Sequence, residues 1–354
     1  MAESRAISVL QLCPNDQPPF LDICGVYQAA AEELGHRVVT VFLGDAHGEP
    51  MRNAVYLGQQ DLRSSRRLGR ALREALRDGV DGKLSLVLCH RYRALQAFRF
   101  SGLVADKVLC VAHEFGFFRR LRRRLQRVAV HRQVRFAGVS APVVAELANT
   151  VTDPVLLPNG IDLALQAQRR LAPEAALGEL GLRGEDFNIA VLGRLHPKKQ
   201  PQVALLGFAL FAAEQADATL TFLGDGELMA ELQNAAAGQR VKFAGFVPQA
   251  ARCLLAFDVV LIPSGEREAF NMVALESMAA GVPVVAGPAS GPRFVLGDVG
   301  VYFADPSPRS VAAALTQARA LSSADGQAAE LGRQRAELEF SLAATGARLK
   351  SWLS

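Results

Sequence analysis

The sequence contains no C-x-x-C pair, no secretory signal pattern and no long apolar run. The longest nearly unbroken apolar run, 203–213, is about half the length of a membrane helix. The N-terminal residues include Glu3 and lack a sustained apolar stretch. Cysteines are few and odd in number: Cys13, Cys24, Cys89, Cys110 and Cys253. These absences predict a soluble cytoplasmic protein with reduced thiols.

The composition indicates folded domains with an uneven charge. Half of the 354 residues are apolar and 21% are charged, which excludes a disordered chain and suits two domains of ordinary size. Residues 1–162 carry 22 Lys and Arg against 16 Asp and Glu, whereas 163–354 carry 17 against 19. The first half is therefore expected to meet an anionic partner, which could be nucleic acid, lipid or a phosphorylated substrate.

Short β-rich runs alternate with helical patterns, such as 23–34 and 64–77, in both halves of the chain. The strands predicted in the first half are 7–12, 38–43, 84–89, 107–112, 137–140 and 155–157. Those predicted in the second half are 188–193, 219–224, 241–244, 259–263 and 282–286. Such alternation predicts an α/β fold with two separately wound parallel sheets.

The domain boundaries follow from the same pattern. We predict a first domain over 1–165 and a second over 166–334, with the boundary in a polar, helix-poor stretch at 166–186. A C-terminal helix over about 335–354 is predicted to pack back on the first domain.

Ligands of open α/β sheets bind beyond the carboxyl ends of the strands, and the strongest cluster there is 263–286. Asn271 is a suitable N-cap for a helix that Gly281 ends. Glu268 lies in the preceding loop and Glu276 within the helix. Free N–H groups of a first helical turn bind anions, and a carboxylate can accept two hydrogen bonds from a sugar diol. Paired glutamates are also common on solvated surfaces.

A second cluster, 193–199, follows a predicted strand directly. Arg194 and Lys199 could clamp a diphosphate, since a guanidinium binds two oxygens and an ammonium acts as a point charge. An ordinary basic loop has the same composition. The Gly-Asp-Gly turn at 224–226 adds a tight turn before a helix.

These motifs, in this order, resemble the retaining nucleotide-sugar glycosyltransferases of family 4, particularly bacterial lipopolysaccharide-core transferases. The resemblance covers most of the chain and is densest over 157–286. The matching motifs are Leu-Pro-Asn-Gly-Ile-Asp at 157–162, Gly-Arg-Leu to Lys at 193–199, Gly-Asp-Gly at 224–226, Val-Lys-Phe-Ala-Gly-Phe-Val at 241–247, and Glu268 with Glu276. The fold it implies is GT-B, two Rossmann-like parallel-sheet domains facing across a cleft.

The resemblance also implies residue roles. Arg194 and Lys199 would bind the donor diphosphate, Glu276 the ribose hydroxyls, and Glu268 would lie near the transferred sugar. The candidate catalytic residues are therefore Arg194, Lys199, Glu268 and His113, and the candidate donor-binding residues are Gly25, Gly193, Gly224, Asn271, Met272 and Glu276.

Two of these residues lie in the first half. Gly25, in a loop-to-helix segment at 20–25, resembles the family's N-terminal glycine loop. His113, directly after a predicted strand, resembles the histidine beside the donor sugar, although a hydrogen-bonded histidine at a sheet edge would fit the same position.

The chain departs from the family pattern at three places. Gln200 and Ala269 stand where glycine is usual. Only Gly25, after Cys24, stands where the family has a glycine pair. Pro292 and Arg293 follow Gly291, where glutamate is frequent. These departures bear on donor identity and loop geometry.

The implied reaction moves a hexose-type sugar from a nucleotide-sugar donor, a UDP-sugar, to a glycolipid or polysaccharide hydroxyl with retained configuration. Lipopolysaccharide core is the expected acceptor. No metal or other cofactor is expected, because no Asp-x-Asp follows a strand and a cationic clamp could neutralise the departing diphosphate.

Two arginine-rich stretches account for the basic first half. The first contains a stripe at helical spacing formed by Arg63, Arg66, Arg70, Arg73 and Arg77, and the second has eight arginines over 119–135. Either a peripheral membrane face or a pocket for an anionic acceptor would use such residues. Two solvated helices would have the same pattern.

Three other classes are compatible with parts of the sequence. An epimerase on the same fold would alter the donor without an acceptor. A non-catalytic sugar-nucleotide-binding subunit would fit the departures at Gln200, Ala269 and Arg293, although both glutamates are present. A nucleic-acid partner is not expected, because few aromatic residues interleave the arginines and no recognised module is present.

Overall fold

The computed structural model describes residues 7–59, 61–77, 79–80, 83–119, 123, 134–265, 267–322 and 326–353. The chain forms two compact units. The first comprises Met1–Ile161 together with Phe340–Ser354, and the second comprises Asp162–Glu339. The first unit is thus assembled from two separate stretches of sequence.

In its described part, the first unit contains a sheet of seven parallel strands in the order β3-β2-β1-β4-β5-β6-β7. The strands are β1 Val9–Cys13, β2 Val38–Phe42, β3 Ala54–Tyr56, β4 Leu84–His90, β5 Ala105–Ala112, β6 Val134–Gly138 and β7 Val155–Leu156. The helices are α1 Phe20–Glu33, α2 Ser65–Ala75, α3 Arg91–Ser101 and α4 Ala141–Ala148. β1 is buried along its whole length, as expected for a parallel sheet covered on both faces.

The second unit contains, within the described residues, a sheet of six parallel strands in the order β10-β9-β8-β11-β12-β13. The strands are β8 Phe187–Leu192, β9 Ala218–Leu223, β10 Val241–Gly245, β11 Val259–Ile262, β12 Val284–Ala286 and β13 Val301–Tyr302. The helices are α5 Leu163–Arg169, α6 Pro173–Leu180, α7 Pro201–Glu214, α8 Met229–Ala235, α9 Met272–Ala280, α10 Ser290–Leu296, α11 Pro308–Ser322 and α12 Gln327–Phe340. Its core packs Phe208, Phe222 and Phe303 among aliphatic side chains.

Both sheets reverse their strand order beside the first strand, as Rossmann-like sheets do. The reversal lies between β1 and β4 in one unit and between β8 and β11 in the other. In doubly wound sheets, ligands bind outside the carboxyl ends of the strands at this reversal. The loops after β8 and β11 are therefore the part of the second unit where the predicted motifs would meet a ligand.

The last helix, α13 at Leu342–Leu353, belongs to the first unit and packs on α1. The chain re-enters this unit where the carbonyl of Phe340 accepts the N–H of Ile161 at 2.8 Å. A Cβ added to Gly160 would lie 2.4 Å from the hydroxyl oxygen of Thr345. Glycine at 160 is thus needed for this close approach.

The predicted strands each overlap an observed strand, but two helical predictions were wrong. The stretch 166–186 is not poor in helix, because α5 and α6 occupy much of it. Asp162 caps α5 by accepting the N–H of Leu165, Pro173 begins α6, and Gly181 ends it in the left-handed conformation. Proline and glycine mark the ends of a helix here rather than a loop.

The second wrong prediction concerns the tail, which the sequence pattern presents as one helix. It is two helices that meet at Ser341, whose hydroxyl oxygen accepts the N–H of Ala344 at 3.2 Å. A serine in this capping position starts a new helix rather than continuing the old one.

Candidate active site

Two glycines bring the carboxyl ends of β8 and β9 together. Gly193 has φ of 129° and Gly224 has φ of 151°, values that L side chains rarely adopt. A Cβ on Gly224 would lie 2.0 Å from the carbonyl oxygen of Gly193. The N–H of Gly193 donates to Leu223, and that of Gly224 donates to Gly245 at 2.7 Å. The predicted Gly-Arg-Leu and Gly-Asp-Gly motifs are thus joined through their backbones.

The basic loop after β8 holds Arg194 and Lys199. The buried side chain of Leu195 anchors this loop, and its N–H donates to the carbonyl of Asp225 at 3.0 Å. The side chain of Arg194 is exposed. The chain then forms a 3₁₀ turn, Pro197–Lys199, which directs the ammonium of Lys199 onto the Oε1 atom of Glu268.

Glu268 has one carboxylate oxygen paired and one unpaired. Its side chain is only 13% exposed, against 41% for Lys199. The Oε2 atom is buried and has no hydrogen-bond partner among the described residues. A buried acceptor without a donor is destabilising by about 1–3 kcal/mol. The atom can therefore accept a hydrogen bond from a ligand hydroxyl.

The loop that carries Glu268 is fixed by a close backbone approach. The N–H of Gly291 donates to the carbonyl of Glu268 at 2.9 Å, and a Cβ at residue 291 would lie 2.4 Å from the same oxygen. The neighbouring Arg293, one of the departures from the family, lies over the ring of Tyr302 at 4.3 Å. Gly291 was not among the predicted site residues, because its contact with the Glu268 loop is visible only in the structure.

The start of α9 provides an anion-binding group beside this loop. The buried Asn271 caps the helix, because its Oδ1 atom accepts the N–H of Ala274 at 2.8 Å. Met272 is the first helical residue, and Gly281 ends the helix in the left-handed conformation. N–H groups in a first turn have no partner within the helix. Glu276 lies further along α9 and is half-buried.

Gln200 adopts a conformation that suits glycine, which is the residue usual at this position of the resembling family. Its φ is 50° and its ψ is 46°, in the left-handed region that costs a non-glycine residue about 1 kcal/mol or more. Its side-chain amide lies against Gly265, in the loop between β11 and Glu268. The backbone at Gln200 thus keeps a turn that is usual for glycine, while the Gln200 side chain occupies the space beside Gly265.

His113 follows β5 directly, and its surroundings keep it neutral. Its Nε2 atom is 2.9 Å from Nδ1 of His90, and the ring of Phe20 packs on its edge at 5.0 Å. Burial lowers the pKa of His113 well below its ordinary value, and His90 and Arg91 lower the pKa further. Burial also lowers the pKa of His90 to about 3.

Gly25 was predicted at the entry to a helix, in a loop-to-helix segment at 20–25, whereas the whole of this segment is helical. Gly25 is the sixth residue of α1, and a Cβ added there would have nothing within 4 Å. The loop after β1 is 14–19, and α1 begins at Phe20 without a side-chain cap. With no capping side chain as a signal, the start of this helix was placed too late. The donor-binding role of Gly25 stays a prediction.

The basic stretches are only partly described. Arg66, Arg70 and Arg73 are exposed on α2, opposite the buried Leu68 and Leu72. Most of 119–135 lies outside the described residues. Arg123, which is described, donates to the carbonyl of Phe117 at 2.7 Å and lies over the ring of Tyr92.

The described part of the chain contains no group of three or more His, Cys, Asp or Glu residues that could hold a metal ion. It also contains no helix that is long and apolar enough to span a membrane. A groove of about 560 Å³ in the second unit, lined by residues such as Arg170, Glu330 and Leu338, includes none of the motif residues.

The second unit thus gathers most of the predicted site residues at the carboxyl edge of its sheet. These are Gly193, Arg194, Lys199, Gly224, Glu268, Asn271, Met272 and Glu276. Gly25 and His113 lie in the first unit. No role was predicted for Gln11, which hydrogen-bonds with His90 beside His113. No individual role was predicted for Asn159, which lies next to His113. His90 was also not assigned a role, although the position was visible at the end of a predicted strand.

Part of the second unit is similar in sequence to known glycosyltransferases. Residues 186–320 match the family model described as glycosyl transferases group 1. A GDP-mannose-dependent alpha-(1-6)-phosphatidylinositol dimannoside mannosyltransferase of Mycobacterium tuberculosis is 31% identical over 168 residues, 46% of this chain and 43% of the relative. A D-inositol 3-phosphate glycosyltransferase of Thermobispora bispora is 34% identical over 200 residues, 51% of this chain and 46% of the relative. The chain spans less than half the length of these curated relatives.

Solved structures match almost the whole chain. Anabaena HepE in complex with UDP and glucose has a TM-score of 0.75 at 17% identity, covering 98% of this chain and 99% of that one. Sucrose-phosphate synthase from Thermosynechococcus elongatus has a TM-score of 0.75 at 17% identity, covering 97% of each chain. The two Rossmann-like units have the GT-B fold, as predicted. The match to the group 1 glycosyltransferase family model lies within the second unit of this fold.

Proposed function

We propose that the protein is a retaining glycosyltransferase that moves a hexose from a nucleoside diphosphate to a hydroxyl of an anionic acceptor. The observation that carries the proposal is the ion pair of Lys199 with Glu268 beside the start of α9. It combines a cation suited to a diphosphate with a carboxylate oxygen that is open to a sugar hydroxyl.

The catalytic requirement is stabilisation of charge on the leaving group. As the glycosidic bond breaks, the sugar gains positive charge and the diphosphate gains negative charge. Arg194, Lys199 and the first-turn N–H groups of α9 would stabilise that negative charge. In this scheme the acceptor oxygen attacks from the face that the diphosphate leaves, and a phosphate oxygen takes the acceptor proton. The anomeric configuration is retained, and no enzymic nucleophile is required.

The remaining donor contacts follow the same edge of the sheet. Gly193 and Gly224 would let the backbone approach the donor closely, because neither position has a side chain. Asn271 and Met272 would present the start of α9 to the diphosphate, and Glu276 would accept hydrogen bonds from the ribose hydroxyls. With two cations and a helix start facing the diphosphate, we propose that the reaction needs no metal ion.

The donor is proposed to be a UDP-sugar. HepE, a structural neighbour, was solved with UDP and glucose, whereas the mannosyltransferase relative of Mycobacterium tuberculosis is named GDP-mannose-dependent. A thermal-shift and hydrolysis screen against UDP-, GDP- and ADP-sugars, with EDTA or with Mg²⁺, separates these donors. Stabilisation by a UDP-sugar with slow release of UDP in EDTA is the expected result. A response to GDP-mannose alone would overturn the proposal of a uridine donor and leave the proposed class, a glycosyltransferase, unchanged.

The acceptor is proposed to be a phosphorylated glycolipid, with lipopolysaccharide core and phosphatidylinositol mannosides as the first compounds to test. The basic first half and the anionic acceptors named for the relatives support this choice. Analysis of the product's anomeric configuration tests retention. Conversion of the donor alone into another sugar nucleotide would instead indicate an epimerase.

A further inference from the structure

A buried chain of polar side chains crosses the core of the first unit and ends at His113. Gln11 on β1, Thr40 on β2 and His90 on β4 lie on neighbouring strands, and all three are fully buried. Gln28 of α1 extends the chain at one end, and His113 lies at the other. Buried polar groups in such a core are costly unless each is paired.

The direction of every hydrogen bond near Gln11 is fixed by a backbone carbonyl. The Nε2 atom of Gln11 lies 2.9 Å from the carbonyl oxygen of Cys24 and 2.8 Å from Oγ1 of Thr40. A carbonyl only accepts, so this amide atom must be the nitrogen. The Oε1 atom of Gln11 therefore accepts, at 3.0 Å, from Nε2 of His90. His90 must carry a proton on Nε2.

The hydrogen bonds of Gln28, at the other end of this series of polar side chains, independently give the same donor and acceptor directions. The Thr40 hydroxyl donates to Oε1 of Gln28 at 2.9 Å. The Nε2 atom of Gln28 donates to the carbonyl of Arg52 at 3.0 Å. Because this second carbonyl also only accepts, the Thr40 hydroxyl must donate toward Gln28 and accept from Gln11.

The tautomer of His113 follows from that of His90. Burial keeps His90 neutral, with its pKa lowered to about 3, so a proton on Nε2 leaves a lone pair on Nδ1. This Nδ1 atom is 2.9 Å from Nε2 of His113. His113 must therefore be the donor in that hydrogen bond. Being neutral itself, it has no proton on its own Nδ1.

The remaining side of His113 faces Asn159, in the Pro-Asn-Gly motif. The Nδ1 atom of His113 and the Oδ1 atom of Asn159 are both buried without a partner among the described residues. Asn159 acts to raise the pKa of His113, whereas burial, His90 and Arg91 lower this pKa and outweigh it. The oxygen and nitrogen of an amide exchange places by a half-turn, and only the nitrogen can donate to an unprotonated Nδ1.

We propose that Gln11 and His90 are positioning residues that hold His113 in one neutral tautomer, with its proton on Nε2 and its Nδ1 accepting from Asn159. Both ring nitrogens are then engaged by the protein, so His113 exchanges no proton with substrate. It acts as a rigid, uncharged contact. The placement of His113 beside the donor sugar rests on the proposed function.

The direct test is nitrogen-15 NMR of histidine-labelled protein. The chain has six histidines, and single substitutions of His90 and His113 assign their ring signals. At neutral pH we expect both rings to show a protonated Nε2 and an unprotonated Nδ1. A proton on Nδ1 of His113, averaging between tautomers, or a charged His113 ring would overturn the proposal. The spectrum needs no substrate, so the expected pattern in a protein without transferase activity would refute the proposed function alone.

A matched pair of variants tests the role of His90. Asn and Leu have the same branching and the same number of side-chain heavy atoms, and His90→Asn and His90→Leu both lose the proton donor toward Gln11. Only Asn places an oxygen where Nδ1 stood, so only His90→Asn can accept from His113. We expect His113 to keep one tautomer in His90→Asn and to average between two in His90→Leu.

The kinetic comparison uses the same pair. His90→Leu should have a kcat about tenfold below that of His90→Asn at similar KM, because misplacing a contact group costs rate more than binding. Equal kcat values with equal tautomers would overturn the positioning role. Should both variants fail to fold, the wild-type spectrum still decides the assignment of the proton.

Discussion

The ammonium of Lys199 contacts the carboxylate of Glu268, although 69 positions separate the two residues in the chain. Their loops leave β8 and β11, which are neighbours in the sheet only because the strand order reverses there. One partner follows the first strand of this unit, and the other follows the fourth. The ion pair is therefore a direct product of the sheet topology, and it lies where doubly wound folds bind ligands.

Removal of either cation of the proposed clamp should slow transfer strongly. We expect Arg194→Ala and Lys199→Ala each to lower kcat/KM by about 100-fold or more, as loss of one preorganised group commonly does. Lys198→Ala removes a neighbouring exposed ammonium and serves as the control, with little change expected. Steady-state transfer kinetics measure all three, and an unchanged rate for Arg194→Ala would exclude that residue from the mechanism.

Glycine substitutions should have opposite effects in the two units. Gly224→Ala forces a Cβ onto the Gly193 carbonyl at an unfavourable φ, so the free energy of unfolding should fall by about 2 kcal/mol or more. Gly25→Ala fills open space in a helix and should raise it by about 0.5–1 kcal/mol. Urea unfolding measures both. A loss of activity in a stabilised Gly25→Ala protein would support the predicted donor-binding role of that glycine.

The buried histidines should make stability depend on pH in the mildly acidic range. Below about pH 6.5 a histidine in the unfolded chain binds a proton, whereas folded His90, with a pKa of about 3, does not. The unfolded state then binds more protons, so the free energy of unfolding falls as the pH falls. His90 contributes at most about 1.4 kcal/mol per pH unit to this slope. The contribution is absent above the pKa that a histidine has in the unfolded chain.

His90→Asn should remove the contribution of His90 to the slope of the free energy of unfolding against pH. Urea unfolding of both proteins at several values between about pH 5.5 and 7 measures it, above the range where carboxylates dominate. Identical slopes in the two proteins would show that His90 has nearly the same pKa in the folded and unfolded states.

The exposed arginines of α2 should contribute to binding of anionic lipid vesicles. We expect Arg66→Glu/Arg70→Glu to reduce co-flotation with anionic vesicles several-fold, since each basic residue near such a surface contributes about 1 kcal/mol. Arg309→Glu/Lys350→Glu makes the same change of net charge at exposed sites elsewhere and is the control. Equal loss in both variants would indicate a net-charge effect. No loss in either would exclude the membrane face and leave an acceptor pocket or a solvated helix surface as the interpretation of these arginines.

Sequence alone predicted the strand framework and the motif loops, because buried parallel strands are continuous apolar runs and the motifs at 157–162, 193–199 and 224–226 directly follow one. It missed β3 and β13, edge strands of three and two residues, which are too short to show a pattern. It placed the start of α1 at 23 rather than 20 because the helix lacks a capping side chain. It also interpreted the proline and glycine that bound α6 as signs of a loop.

The contacts within the site were beyond the reach of the sequence. The ion pair of Lys199 with Glu268 depends on which strands become neighbours, and several strand orders are compatible with the same pattern. The hydrogen-bond chain of Gln11, Thr40 and His90 is invisible for a different reason. Polar residues in a strand look like surface positions until the neighbouring strands supply their partners.

The discontinuous first unit has a consequence for synthesis on the ribosome. Its strands emerge early, but α13, which covers α1, is translated only after the whole of the second unit. The second unit is one uninterrupted stretch and can complete its fold while the chain is still growing. The nascent first sheet must meanwhile wait with one face of α1 uncovered, so a chaperone that binds apolar helices would find its target there during this interval.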